Sequence, residues 1–219
     1  MGKTILVITA HPDDPEFAFG GTVAKWIKEG ARATYVICTK GNRGSSDPGM
    51  SPGKLAFIRQ KEQKAAAKII GVTEVIFLDH NDGELMADLN FKEELVRLIR
   101  KLKPDIVFTH DPSYFYFKTR GFINHTDHRA CGEAVLDAVY PLARDLLSFP
   151  RHNEEGLTPH RVTEIYLTNF EDPDFFVDVT ETVEIKIKAI LAHKSQVETR
   201  QDLPQMIHER MAELGKGCG

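Results

Sequence analysis

The first 110 residues repeat one rhythm: a short apolar, β-branched run, a polar loop, then a segment of helical period. Strands that are apolar throughout must be covered on both faces, and helical crossovers between parallel strands provide that cover. Four strands are predicted, at residues 4–10 (TILVITA), 33–39 (ATYVICT), 74–78 (EVIFL) and 105–109 (DIVFT). Helices are predicted near 19–29, 55–70 and 91–102, with Gly30 and Gly71 standing where a C-cap needs positive φ. In the second helix Leu55, Ile58, Ala65, Ala66 and Ile69 read as the apolar stripe, and Arg59, Lys61, Glu62 and Lys68 as the opposite face. Further on, the pattern predicts a helix over 126–147, strands at 164–168 and 175–179, and a last long helix around 183–193. No repeat, low-complexity tract or linker divides the 219 residues. The expectation is one domain, 1–219, with an α/β, three-layer α/β/α Rossmann-like fold, a mostly parallel sheet and additional C-terminal strands.

Charge narrows the partners. With 28 Lys and Arg against 32 Asp and Glu, the chain has no broad basic face to neutralise a phosphate backbone, so nucleic acid is excluded as a main partner. The apolar stretch from Ile5 to Ala10 is too short for a signal peptide or a membrane span, which predicts a soluble, cytoplasmic protein. Cys38, Cys131 and Cys218 have no CxxC spacing and fit a reducing compartment, with Cys38 and Cys131 read as buried and inert.

In an open parallel sheet, ligands bind beyond the carboxyl ends of the strands, at the loops that begin at His11, Lys40, Asp79 and His110. The first of these loops reads His11-Pro12-Asp13-Asp14-Pro15-Glu16, an imidazole and three carboxylates within six residues. Neighbouring carboxylates repel unless a cation or hydrogen bonds offset them, and His with Asp is an ordinary ligand set for zinc. Helix capping by Asp13 or Asp14 is the competing explanation. The second cluster is His125-Thr126-Asp127-His128 at a helix start, where His125 and His128 share a face and Asp127 can fix an imidazole tautomer. Here too a cap with two solvated histidines competes. Both clusters nonetheless fall on one rim of the same predicted sheet.

Taken in order, these segments resemble the LmbE-like or PIG-L-type N-acetylglucosamine deacetylases. The resemblance rests on Ala10-His11-Pro12-Asp13-Asp14 with Glu16, Thr39-Lys40-Gly41, Arg59 with Glu62, Gly71-Val72 and Asp82-Gly83-Glu84-Leu85. It continues through Pro104-Asp105, Thr109-His110, His125 to Ala130, and His193-Lys194-Ser195-Gln196. It implies a zinc-dependent hydrolase of an N-acetylglucosamine-containing sugar or conjugate. In that scheme His11, Asp14 and His128 bind one zinc ion per subunit, and Asp13 is the general base for attack by a zinc-bound water. His125 stabilises the oxyanion or protonates the leaving amine, and Asp127 tunes His125. Spacing alone does not say which of Asp13 and Asp14 is ligand and which is base.

Arg59, Asp82 and His193 are the expected substrate contacts, although an ion pair of Arg59 with Glu62, turn formation by Asp82 and a helix end at His193 account for them structurally. Arg43 is the weaker match, because the family usually carries an acidic residue near that point. The loop holding Tyr114, Phe115, Tyr116 and Phe117, with Lys118, Arg120 and Phe122, runs to about fifteen residues, long for a connection, and suits a sugar-stacking lid or an oligomer interface. The family resemblance implies a homo-oligomer, trimer or hexamer, and a C-terminal segment extending beyond Gly219. Two other classes compete: an idle metal- or sugar-binding member of the fold, and a nucleotide-binding Rossmann protein. The second lacks glycines in its first βα turn, where a pyrophosphate would need them.

Overall fold

The computed structural model describes residues 2–119, 121–168 and 171–216. Five strands form one parallel sheet: β1 (Thr4–Thr9), β2 (Arg32–Thr39), β3 (Glu74–His80), β4 (Ile106–His110) and, after the hairpin described below, β7 (Glu164–Thr168). Their spatial order is β3-β2-β1-β4-β7, so the chain moves one way from β1 and then returns to lay β4 on its other side. The crevice at that reversal opens beyond the carboxyl ends of β1 and β4. His11 and His110 stand there.

Alternation along β1 divides the core. Ile5 and Val7 face one layer with Phe19, Val23, Tyr35, Ala66 and Phe108, while Leu6 and Ile8 face the other with Leu95, Ile99, Val107, Cys131 and Val135. The first layer is roofed by α1 (Asp14–Lys28), α2 (Pro52–Ile70) and α6 (Val183–Ile190), and the second by α3 (Leu89–Leu102) and α4 (Thr126–Asp137). Gly30 and Gly71 adopt positive φ at helix ends, 98° and 95°, as expected. A two-stranded hairpin, β5 (Tyr116–Phe117) with β6 (Phe122–Ile123), precedes α4. The remaining helices are α5 (Pro150–Glu154), α7 (Lys194–Val197) and α8 (Leu203–Lys216). Among the described residues no helix is long and apolar enough to cross a membrane.

Four expectations about elements need correction. Residues 175–179 join no sheet; Val179 packs where Gly21 of α1 has no Cβ, and Phe175 packs on Tyr166 at 5.3 Å, so the apolar alternation serves to cover α1 and the sheet edge. The helix expected over 126–147 ends at Asp137 and passes into a π-helical turn at Ala138–Leu142, because Pro141 drives Tyr140 to φ −147°, ψ 123°. The helix around 183–193 stops at Ile190, and α8, with Pro204 in its first turn, was not anticipated. On α2 the buried face is Leu55, Arg59, Gln63, Ala66, Ala67 and Ile70; Ile69 is exposed, and Arg59 points inward. Polar atoms on both Arg59 and Gln63 are paired inside, which is why polar side chains take core positions. Arg120 and Cys218 lie outside the described residues.

Candidate active site and metal centre

The first two residues of interest follow β1 directly. His11 leaves the strand, and Asp13 caps α1 with φ 95°, ψ −30°, a left-handed backbone that costs a non-glycine residue about 1–3 kcal/mol. Asp14 opens the helix and accepts the His11 backbone N–H at 2.7 Å, so its carboxylate turns back over the strand end. On the far side of the switch point, α4 begins at Thr126 and carries Asp127 and His128 in its first turn, with His125 as cap.

Three groups from these two loops meet at one point. His11 Nδ1 lies 3.2 Å from His128 Nε2 and 3.4 Å from Asp14 Oδ2, and Asp14 Oδ1 lies 3.3 Å from His128 Nε2. Donors sharing one tetrahedral ion at about 2.1 Å stand about 3.3–3.4 Å apart, and these distances, measured to the two oxygens of Asp14, are of the size a zinc or similar divalent ion needs. Charge agrees with size. Burial alone would depress His11, yet the carboxylates of Asp127, Asp14 and Asp82 hold it well above its ordinary value. Burial alone would raise Asp14, and His128, His110 and His11 outweigh it to bring Asp14 well below the carboxylate range. The pocket therefore favours positive charge at this point, the kind of charge a bound cation would supply.

The surrounding groups fix that geometry. Asp127, fully buried, accepts from His11 Nε2 at 3.0 Å, from the Gly83 amide at 2.7 Å and from the Leu85 amide at 3.2 Å. A carboxylate on the outer ring nitrogen orients a ligand imidazole and leaves Nδ1 for the ion. This departs from the expected partnership: the Asp127 carboxylate is 4.0 Å from His125 Nδ1, and it is the Asp127 backbone N–H that donates to that nitrogen, at 3.1 Å. The neutral tautomer of His125 then carries its proton on Nε2. Burial, with His11 and His128 nearby, lowers His125 below its ordinary value.

His110, which the sequence marks as a loop start and as part of the Thr109-His110 resemblance without a role, is a participant here. Its Nε2 accepts the Ala10 N–H at 3.1 Å and its ring stacks on His128 at 4.1 Å. That nitrogen is thereby committed, and burial lowers its pKa to about 4, which makes it a neutral support for His128.

The Asp13 carboxylate has its own partner, Arg59, 3.5 Å away. Burial raises its carboxyl to about 6, Asp14 adding to the effect and Arg59 opposing it. Such a value suits proton abstraction near neutral pH. Arg59 donates to Pro12 O at 2.7 Å and Gly41 O at 3.2 Å, and lies 3.5 Å from Asp13 and 3.8 Å from Asp82. Glu62, its expected partner, instead accepts from Ser195. Asp82 sits 3.3 Å from His11 Nε2. His193 is fully buried and pairs with Glu16 at 3.0 Å. Of the nine residues singled out, eight gather around one crevice, and His193 stands behind its wall. Side-chain exposure differs among them: Asp13 at 17%, His128 at 27% and His125 at 44% are more open than His11 at 9% or Asp127 at 0%.

The PIG-L family, described as GlcNAc-PI de-N-acetylase, matches residues 6–139. A diacetylchitobiose deacetylase of Thermococcus kodakarensis is 33% identical over 198 residues, covering 89% of this chain and 70% of the relative. A probable N-acetyl-alpha-D-glucosaminyl L-malate deacetylase of Bacillus anthracis is 28% identical over 211 residues, 90% of this chain and 83% of the relative. The solved N,N'-diacetylchitobiose deacetylase of Pyrococcus horikoshii superposes with a TM-score of 0.84 at 32% identity, covering 94% of this chain and 76% of that one. With its family segment running from β1 through α4, and so spanning both converging loops, the chain belongs to the PIG-L (LmbE-like) family of deacetylases.

Proposed function

We propose that the chain hydrolyses the acetamide of an N-acetylglucosamine-containing sugar or conjugate, with one zinc ion per subunit. The observation that carries this reading is the convergence of His11, Asp14 and His128 from loops 117 residues apart, beside a second, separately held carboxylate. Bound by these three residues, zinc would supply Lewis acidity toward the acetamide carbonyl and acidify a water. Asp13, set at about 6, accepts the proton of the attacking water as its oxygen bonds to the carbonyl carbon. His125, the most open of the ring donors, presents Nε2–H to the developing oxyanion as a hydrogen bond, and the proton held by Asp13 passes to the nitrogen as the C–N bond breaks. Acetate and the free amine leave.

Arg59, Asp82 and Asp127 act on the reacting groups from behind. Arg59 neutralises Asp13, and Asp82 and Asp127 orient His11. The enclosure of His193 fits a supporting role in place of sugar contact. The hairpin exposes Phe115, Tyr116, Phe122 and Ile123, rings and chains suited to stacking on a sugar or to an interface within a trimer or hexamer. Free thiols at Cys38 and Cys131, with Sγ atoms 3.8 Å apart, suit a reducing, cytoplasmic setting.

The test is acetate release from N-acetylglucosamine and diacetylchitobiose by the zinc-loaded chain. Release should vanish on chelation and fall by about two to four orders of magnitude in Asp13→Asn while bound zinc stays at one per chain. No acetate from a broad acetamido-sugar panel would leave an idle binder of the same fold.

A further inference from the structure

Resting on the deacetylase reading, we propose that Gln63 is a positioning residue: its side-chain amide locks the Asp13 backbone in the left-handed conformation that keeps two adjacent carboxylates on separate tasks. Asp14 turns over the strand end to His11 and His128, and Asp13 turns toward Arg59. That divergence depends on φ 95° at Asp13, which an aspartate does not hold unaided.

The restraint comes from α2. Asp13 N–H donates to Gln63 Oε1 at 2.8 Å, across 50 residues of sequence. A backbone N–H can only donate, so Gln63 must present its oxygen there, and its Nε2 then faces Glu16 Oε1 at 2.9 Å. Glu16 is held in turn by His193 Nε2 at 3.0 Å on its other oxygen. Gln63, Glu16 and His193 are all 0% exposed. An apolar side chain of similar length would pack on this face of α2 without needing partners, so a buried amide with both ends engaged marks a directional requirement. The chain of bonds runs from His193 through Glu16 and Gln63 to the one backbone N–H whose orientation decides where Asp13 points.

Gln63→Leu tests this. The zinc-loaded variant should lose about 100-fold in kcat, the scale of a misplaced reacting group, with KM nearly unchanged and zinc retained, because His11, Asp14 and His128 keep their own bonds. Its crystal structure should show Asp13 relaxed to negative φ. The double variant Glu16→Gln with Gln63→Glu restores every donor and acceptor in the chain, and its kcat should return to within about tenfold of the parent. The proposal is overturned if Asp13 keeps positive φ in Gln63→Leu, if kcat there is unchanged, or if zinc is lost in step with activity, which would mark a support for the whole loop. Should Gln63→Leu not fold, the double variant carries the test, and low kcat in it is equally fatal. If the parent releases no acetate, the deacetylase reading fails, while the backbone of Asp13 in the variant crystal still decides the role of Gln63.

Discussion

Asp127 accepts three hydrogen bonds with no access to water, one from a proposed ligand imidazole and two from the amides of the Asp82-Gly83-Glu84-Leu85 turn. Burial alone would raise its carboxyl; the bonds from His11 and the amides of Gly83 and Leu85 instead bring it below the ordinary value, which keeps it an acceptor. It therefore joins two rim loops and fixes which nitrogen of His11 is free. Asp127→Asn keeps the volume but turns one acceptor oxygen into a donor, and in either orientation the NH₂ group faces a donor, His11 Nε2–H with the Gly83 N–H on one side or the Leu85 N–H on the other. Zinc affinity should fall about 10- to 100-fold, the usual penalty for losing such an outer partner, measured by competition with a chromogenic chelator. Affinity equal to the parent would show that Asp127 does not hold His11 for the ion.

At the scale of elements, the distance between β4 and α4 sets where His128 stands relative to His11. Gly132, one turn after His128, lies against the His110 carbonyl oxygen and Pro112, and a Cβ placed there would collide with that backbone. Gly132→Ala should push α4 off the sheet, destabilise the fold by about 1–3 kcal/mol and weaken zinc binding as well, read by urea unfolding with and without metal. A variant with full stability and full zinc affinity would remove the close packing from the account. The same element shows what sequence makes legible. Runs such as TILVIT and ATYVICT announce buried parallel strands, and the order of loops at their ends puts His11 and His128 on one rim from the sequence alone. Contacts between distant segments were not legible: Arg59 reads as part of the polar face of its helix and Gln63 carries no signal, yet Arg59 donates to Pro12 and Gly41, and Gln63 donates to Glu16 and accepts from Asp13. Residues 175–179 carry strand-like alternation because Val179 fills the space left by Gly21, a pairing more than 150 residues apart that no local period encodes.

Over the whole molecule, the C-terminal third is fastened to the first helix by buried polar groups. Thr182 Oγ1 donates to Gly21 O at 2.8 Å, and Lys186 Nζ donates to Glu16 O at 2.9 Å and Phe17 O at 2.6 Å. Lys186 sits inside the protein, and burial lowers its pKa to about 8 although the charge of Glu16 pulls the other way. Its ordinary value is 10.5. Below about pH 8 both folded and unfolded chains carry the proton, and the folded state bears the cost of a buried ammonium. Between about 8 and 10.5 the unfolded chain binds more protons than the folded one, so stability contributed by this group rises with pH across that window. The full span is on the order of 3 kcal/mol at most. Lys186→Met removes the titration, while the helix amides of α1 still serve the carbonyls of Glu16 and Phe17. Unfolding free energies from urea titrations at intervals from pH 7 to above 10 should therefore climb less steeply in Lys186→Met than in the parent. The variant should be the more stable of the two at pH 7, and the two should converge near the top of the range. Parallel curves would mean that Lys186 keeps an ordinary pKa in the fold and that the fastening of the C-terminal third costs nothing electrostatically.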